Sequence, residues 1–271
     1  MKDIKELKIL ANQNRKKIIE MVYKAHAGHP GGSLSIIDIL TAIYEFDVDL
    51  NSKKRSRVVL SKGHTVPAQY AILNSKGIIN DEELVTFRSV NSRLQGHPHI
   101  VDIPEVDSTT GLLGQGLSLA IGMAIAKRND KENNRVYAVV GDGELHEGQI
   151  WEAVMQASHY KLNNLIMIVD YNKLSSSGPV NEVINVDSIS DKLKVFGFNT
   201  IEIDGNNMEQ VVGALNIAFE EKEKPIAIIA NTIKGKGVSY MENNPKWHSG
   251  ALTDEEYEIA IRDLKKIGEE I

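Results

Sequence analysis

Two acidic loops in this sequence have the composition of a divalent-metal site. The first is Gly141-Asp142-Gly143, and the second is Asp170-Tyr171-Asn172. Carboxylate and carboxamide oxygens are hard ligands that suit Mg²⁺ or Ca²⁺, and such a site leaves positions open for diphosphate oxygens and water. A tight turn with a helix-capping aspartate would explain Gly-Asp-Gly alone, so the prediction depends on the two loops together.

Each acidic loop directly follows an apolar run. Residues 135–140 precede the first loop and residues 165–169 precede the second, and both runs are typical of buried parallel strands. In open α/β sheets, ligands bind beyond the carboxyl ends of the strands, where helix N-termini attract phosphate. The sequence therefore predicts a metal and diphosphate site at that edge of a sheet.

Four histidines lie in glycine-rich or proline-containing turns. These segments are residues 27–33 with His29, 61–64 with His64, 95–98 with His97, and 246–250 with His248. A single loop histidine is usually a solvated residue or a helix-capping donor. Four of them beside one candidate metal site favour a functional interpretation.

The elements that must position these residues alternate along the chain. An α/β fold is predicted, with a mainly parallel sheet, helices on both faces and right-handed connections. Ser33 or Ser35 is predicted to cap the second helix, and small residues at 113–128 indicate a close-packed helix. The predicted helices are 4–26, 33–44, 113–128, 145–160, 207–221 and 253–267, and the predicted strands are 57–60, 135–140, 165–169, 200–203 and 226–231.

Length and composition indicate one globular domain over residues 1–271. Apolar residues make up 42% of the chain and charged residues 25%, which is ordinary for a globular protein. The net charge of −6 without a basic block argues against nucleic acid or an anionic membrane as partner. The absence of cysteine excludes disulfides and thiolate metal sites. With no apolar leader segment at the amino terminus, a cytoplasmic location is expected.

The motifs and their order resemble the thiamine diphosphate-binding, amino-terminal part of transketolase. The resemblance covers roughly residues 1–250 and includes a departure at Leu112, where many members of the family carry proline. The matching segments are Gly28-His29-Pro30-Gly31, Leu60-Ser61-Lys62-Gly63-His64, Gly96-His97-Pro98, residues 109–116, Gly141-Asp142-Gly143 with Glu147-Gly148, Asp170-Tyr171-Asn172, and Lys234-Gly235-Lys236-Gly237 ahead of Trp247-His248.

The resemblance implies thiamine diphosphate and Mg²⁺ (or Ca²⁺) as cofactors. It also implies the thiamine diphosphate-binding fold, of which this chain would be the module that binds the diphosphate. It also implies roles for individual residues. The expected metal ligands are Asp142, Asn172 and the Leu174 carbonyl; the expected cofactor contacts are His64, Gly111, Leu112, Leu113, Gly143, Glu147, Asn172 and His248; and the expected catalytic residues are His29, His97 and His248. For His29 and His97, a pKa near neutrality would allow proton exchange with sugar hydroxyls.

The function implied by the resemblance is transfer of a two-carbon ketol unit from a ketose to an aldose, usually both phosphorylated, in carbohydrate metabolism. The family's pyrimidine-binding and carboxyl-terminal domains, and its activating glutamate, would then lie on a partner chain. We therefore expect a split transketolase that is a heteromer with an even number of each chain, most simply a heterotetramer. Two alternatives are the α subunit of a 2-oxo acid dehydrogenase and a catalytically silent thiamine-binding subunit.

Overall fold

A five-stranded sheet, parallel throughout, forms the centre of the computed structural model, which describes residues 2–271. The strand order is β1-β2-β3-β5-β4, so the predicted parallel sheet is confirmed. Each predicted strand is present, with ends that differ by three residues or fewer. The strands are β1 Arg57–Leu60, β2 Val136–Gly141, β3 Leu165–Tyr171, β4 Asn199–Asp204 and β5 Ile226–Asn231.

The sheet separates two hydrophobic cores, because successive side chains of a strand point to opposite faces. On β1, Val58 and Leu60 enter one core, whereas Val59 enters the other. Helices α1, α2, α3, α9 and α10 contribute to the first core, and α5, α6 and α8 to the second. The helices are α1 Ile4–Ala25, α2 Pro30–Phe46, α3 Val66–Ser75, α4 Asp81–Leu84, α5 Gln115–Asn129, α6 Gly148–His159, α7 Val180–Val183, α8 Ile189–Val195, α9 Met208–Glu220 and α10 Asp254–Glu270.

The first and last helices pack against each other. Both begin with a capping box, in which the side chain of Asp3 or Thr253 caps the helix and a glutamate three residues later reaches back. The rings of Tyr23 and Tyr257 stack with centroids 4.1 Å apart. The predicted terminal helix therefore closes over the amino-terminal helix of the same chain.

Helix α2 begins earlier than predicted, and the predicted serine caps are wrong. Pro30 occupies the first turn, where its missing N–H costs nothing, so the helix begins directly after His29. The two serines lie inside the helix instead. The Ser33 hydroxyl donates to the His29 carbonyl at 2.7 Å, and the Ser35 hydroxyl donates to Asp170 Oδ2 at 2.6 Å.

The sheet register brings the two acidic loops side by side. Gly141 is paired with Asp170 at the carboxyl ends of β2 and β3, so the loops that follow start next to each other. Among residues 2–271, none of the helices has both the length and the apolar character needed to cross a bilayer.

Candidate functional site

A cavity of about 340 Å³ lies at the carboxyl edge of the sheet. Loops following β1, β2, β3 and β5 line it, together with the turn before α2. We call the acidic base of this cavity the floor: Lys62, Asp142 and Asn172 line it, and Asp170 lies buried behind them in contact with Lys62 and Asn172. We call the imidazoles around it the rim, formed by His29, His64, His97 and His248.

Asp142 and its neighbours supply the oxygen donors of the floor. One Asp142 carboxylate oxygen accepts from the Gly143 N–H at 2.7 Å, and the other accepts from the Lys173 N–H. The Asn172 side-chain oxygen accepts from the Leu174 N–H at 3.1 Å. Burial, and then the charge of Asp170, raise the pKa of Asp142 to about 7. A bound cation would stabilise the ionised form that its coordination needs.

A buried ion pair beneath these donors fixes the orientation of Asn172. Lys62 contacts Asp170, which is fully buried and also accepts hydrogen bonds from Ser35 and Thr232. Burial alone would raise the pKa of Asp170, but the adjacent ammonium holds it below its usual value. Asp170 accepts from the Asn172 amide nitrogen at 3.1 Å. Asn172 therefore presents its oxygen, and not its nitrogen, away from Asp170.

Lys234 is a site residue to which the sequence analysis gave no individual role, although it lies in one of the matching segments. Its side chain is 2% exposed, and its ammonium donates to the Leu174 carbonyl at 2.6 Å. The same nitrogen lies 3.1 Å from His248 Nδ1. Burial lowers the pKa of Lys234 to about 8, although the nearby Asp142 opposes this effect. A lysine far along the chain carried no local signal that would place it in this cavity.

Three rim imidazoles form a compact cluster. The ring centroids are 5.0 Å apart for His29 and His64, 5.2 Å for His64 and His248, and 5.6 Å for His29 and His248. His97 belongs to the same cavity wall, where it packs against Gly111. The structure therefore brings together all four histidines that the sequence singled out.

The rim imidazoles are neutral near pH 7. Burial, with smaller effects from neighbouring cations, lowers the pKa of His29 and of His248 to about 4. Burial also lowers the pKa of His97, and lowers that of His64 well below its usual value. The expectation of a pKa near neutrality is therefore wrong for His29 in this chain by itself, and at His97 burial shifts the pKa in the same direction. The rings are available as single donors and acceptors.

A glycine allows the amino-terminal and carboxyl-terminal parts of the rim to meet. A Cβ on Gly31 would lie 2.5 Å from the Trp247 carbonyl oxygen, so no larger residue fits without movement of the backbone. This close approach places the turn that carries His29 against the 3₁₀ turn Pro245–His248. Gly31 is thus required for the cluster geometry.

Two predicted cofactor residues do not line the cavity. Leu112 is 78% exposed and points outward between Gly111 and Leu113, which do line it. Glu147 lies in the exposed junction before α6, and the buried acid of this loop is Glu144. Glu144 accepts from the N–H groups of Gly114 at 2.9 Å and Gly141 at 3.1 Å, so it joins the loops around the site. The sequence prediction missed this residue.

The donor set suits a metal that is shared with a diphosphate. Within residues 2–271, no three His, Asp or Glu side chains gather as a metal site of their own. Asp142, Asn172 and the Leu174 carbonyl would complete coordination with diphosphate oxygens and water. The Lys234 ammonium lies beside the Leu174 carbonyl, and the rim imidazoles line the same cavity. Cationic and neutral N–H donors of this kind match diphosphate oxygens.

Comparisons with known proteins agree with this geometry. The family model described as "Transketolase, thiamine diphosphate binding domain" matches residues 7–267. An apulose-4-phosphate transketolase subunit from Phocaeicola vulgatus is 42% identical over 269 residues, which cover 97% of this chain and 95% of that protein. The 6-deoxy-6-sulfo-D-fructose transketolase subunit SqwG of Clostridium sp. is 41% identical, covering 97% of this chain and 98% of that protein.

Longer proteins match over part of their length. The chain is 37% identical to human transketolase but covers 42% of it. The crystal structure of transketolase from Campylobacter jejuni superimposes with a TM-score of 0.91 at 32% identity, over 98% of this chain and 43% of that one. The chain thus spans less than half of these transketolases.

Proposed function

This chain belongs to the family of transketolase thiamine diphosphate-binding domains, and from that premise we propose that it is the amino-terminal subunit of a split transketolase. Together with a carboxyl-terminal subunit, it transfers a two-carbon ketol unit from a ketose to an aldose. The observation that carries the proposal is a floor suited to a metal diphosphate in the same cavity as four histidines, three of which form a compact cluster. Relatives that match over nearly their whole length are themselves named as transketolase subunits.

The cofactor is thiamine diphosphate with Mg²⁺ or Ca²⁺, and the cavity residues divide between its two ends. Asp142, Asn172 and the Leu174 carbonyl hold the metal, while Gly143, His64 and His248 bind the diphosphate. The polar floor supports the first assignment, and the neutral N–H groups of the rim support the second. Gly111 and Leu113 contact the remainder of the cofactor from the cavity wall. When bound, thiamine diphosphate supplies the nucleophilic carbon that carries the two-carbon unit.

His29, His97 and His248 act on the sugar. Their imidazoles are neutral near pH 7, so each can accept a hydroxyl proton or donate an N–H. His29 has one buried nitrogen without a protein partner among the described residues, which suits a hydrogen bond to a hydroxyl. These rings orient the sugar hydroxyls and move their protons during cleavage and reverse addition.

The partner is a carboxyl-terminal transketolase subunit, and the assembly is a heterotetramer in which each site lies between two kinds of chain. Relatives of matching length are named as subunits and not as whole transketolases, which supports a separate partner. The substrates are anionic sugars. One relative is named for a sugar phosphate and another for a sulfosugar, which supports a substrate with an oxyanion group.

A reconstitution assay tests the proposal. Two-carbon transfer from xylulose 5-phosphate to ribose 5-phosphate is measured with thiamine diphosphate and Mg²⁺, using this chain alone and mixed with its candidate partner. Transfer that requires the mixture is the expected result. CO₂ release from a 2-oxo acid without sugar transfer would favour the dehydrogenase subunit instead. Cofactor binding without any turnover in the mixture would favour the silent subunit.

A further inference from the structure

Lys234 reaches the cavity from the loop that follows β5, residues 232–237, which we call the Lys234 loop. Its side chain is buried, and its ammonium contacts the Leu174 carbonyl and His248 Nδ1. A side chain packed on all sides has little freedom to compensate for a movement of its own backbone. The groups that fix the backbone of the Lys234 loop therefore also fix the ammonium in the cavity.

Asn206 fixes this backbone from outside the cavity. It lies in the turn between β4 and α9 and is not among the residues that line the cavity. Its side-chain oxygen accepts from the Ile233 N–H at 2.9 Å. The hydrogen bond thus holds the residue directly before Lys234.

Helix α2 holds the other end of the Asn206 amide. The side-chain nitrogen donates to the Ser35 carbonyl at 3.1 Å and to Asp38 Oδ2 at 2.9 Å. The hydroxyl of the same Ser35 donates to Asp170 at 2.6 Å. One amide therefore connects the helix that supports the floor with the loop that carries Lys234.

A second connection to the Lys234 loop runs through Arg15 of α1. Arg15 pairs with Asp38, the buried carboxylate that also accepts from Asn206. Its Nε donates to the Lys236 carbonyl at 3.2 Å. The loop is thus held on both sides of the lysine, by Asn206 before it and by Arg15 after it.

The residue before Asn206 packs closely against the end of β5. A Cβ on Gly205 would lie 2.6 Å from Thr232 Cγ2 and 2.8 Å from Ala230 Cβ, so no larger residue fits without movement of the turn. Gly205 therefore allows the close approach that brings Asn206 within hydrogen-bonding distance of the Lys234 loop.

Asn207, the next residue, has a different task. It caps α9, where its side-chain oxygen accepts from the Gln210 N–H at 3.1 Å. Both asparagines are half-buried in the same turn. Asn207 thus stabilises its own helix, whereas Asn206 joins separate segments of the fold.

We propose that Asn206 is a positioning residue, which acts through the Lys234 loop to place the Lys234 ammonium against the diphosphate of the cofactor. The inference rests on the proposed function, because it requires the diphosphate to lie in this cavity. A carboxamide offers donors and an acceptor at fixed positions, and here both kinds are used. Its removal leaves the partners on either side without a hydrogen bond, so the loop loses its attachment to α2.

Isothermal titration calorimetry of the reconstituted enzyme with thiamine diphosphate and Mg²⁺ tests the inference. Asn206→Ala should raise the Kd for thiamine diphosphate roughly tenfold, a loss typical of residues that orient a ligand-binding group. Asn207→Ala is the matched control, because it removes the same atoms from the next position. It should lower the melting temperature through the lost helix cap but change the Kd by less than about twofold. Equal changes in Kd for the two variants would overturn the inference.

A double-mutant cycle with Lys234→Met separates positioning from a general loss of structure. If Asn206 acts through Lys234, Asn206→Ala should change the Kd by less than about twofold once the ammonium is absent. An undiminished rise in Kd in the Lys234→Met background would show that Asn206 acts independently of the lysine, and would overturn the inference.

Gly205→Ala provides a second route to the same displacement, in case Asn206→Ala does not fold. It keeps the amide but moves the turn, so it should also raise the Kd, and this rise should also disappear in the Lys234→Met background. Wild-type affinity in both Asn206→Ala and Gly205→Ala would overturn the inference while the proposed function stands. Absence of thiamine diphosphate binding by the wild-type mixture would instead overturn the proposed function, and the inference with it.

Discussion

The floor and the rim of the cavity are built in opposite ways. In the floor, Asp170 accepts from four side chains and Asp142 from two backbone N–H groups. In the rim, within the part of the chain that the structure describes, four imidazoles share a single side-chain hydrogen bond, from Lys234 to His248. Hydrogen bonds within this chain thus fix the positions of the floor side chains. The rim keeps its nitrogen atoms available for molecules that bind to it.

This contrast separates a rigid part of the site from an adaptable part. Buried polar groups with complete hydrogen bonding are rigid and costly to disturb, whereas partly exposed imidazoles can change partners at little cost. We therefore expect substitutions in the floor to affect stability and cofactor affinity. Substitutions of His29 and His97, the two rim residues assigned to the sugar alone, should affect turnover.

The largest effect is expected for Asp170→Ala. This change leaves Lys62 charged and buried without its partner, so the free energy of unfolding should fall by about 3–5 kcal/mol. Urea denaturation of the chain alone measures it. Asp191→Ala, which removes an exposed carboxylate on α8, is the control and should change stability by less than about 0.5 kcal/mol. A loss below about 1 kcal/mol in Asp170→Ala would contradict the view of the floor as a rigid unit.

Asp142→Ala should have the next largest effect. It removes the one carboxylate among the proposed metal ligands, so affinity for thiamine diphosphate in the presence of Mg²⁺ should fall more than about a hundredfold. Isothermal titration calorimetry with and without Mg²⁺ gives the metal-dependent part. Equal affinity in the variant and the wild type would remove Asp142 from the metal site.

His97→Ala tests the rim. We expect kcat of the reconstituted enzyme to fall on the order of a hundredfold, because a group that orients sugar hydroxyls and moves their protons is lost. Cofactor affinity and the free energy of unfolding should stay near the wild-type values. If the cofactor affinity fell as far as in Asp142→Ala, the division between floor and rim would be wrong.

The smallest expected effect is that two rim histidines, His29 and His248, do not titrate between pH 7.5 and pH 5.5. The pKa values of His29 and His248 are lowered from 6.5 to about 4, so both rings stay neutral as the pH falls from 7.5 to 5.5. NMR spectra of the imidazole groups of the chain alone should show no midpoint for these two residues in that range. Single His→Asn variants assign the signals. A midpoint near 6.5 for either residue would show that its ring is hydrated and not buried.

The sheet and the floor could be predicted because their signals are local. Apolar runs mark β2 and β3, and each acidic loop follows its strand directly, so sequence order fixes spatial order. Other features depend on contacts between distant segments. Lys234 approaches Leu174 across 60 positions, and no local pattern indicates this contact.

Two predictions about individual residues were not met, for physical reasons that only the structure supplies. Ser35 has the chemistry of a helix cap, but its hydroxyl is used by Asp170, which comes from another part of the chain. Leu112 lies between two residues of the cavity wall, but the direction of its side chain depends on the turn geometry of that loop. Motifs therefore identified the loops of the site better than the individual side chains that face the cavity.

The meeting of His29 with His248 has a consequence for the synthesis of this protein. The two rings lie 5.6 Å apart, although 218 residues separate them in the chain (248 − 29 − 1). During translation the rim stays incomplete until the segment that carries His248 has left the ribosome and packed against the turn that carries His29. The two segments meet through the fold and not through proximity in sequence, so folding has to bring them together before all the rim imidazoles can face one ligand. A cofactor therefore meets the complete rim only after this part of the chain has folded.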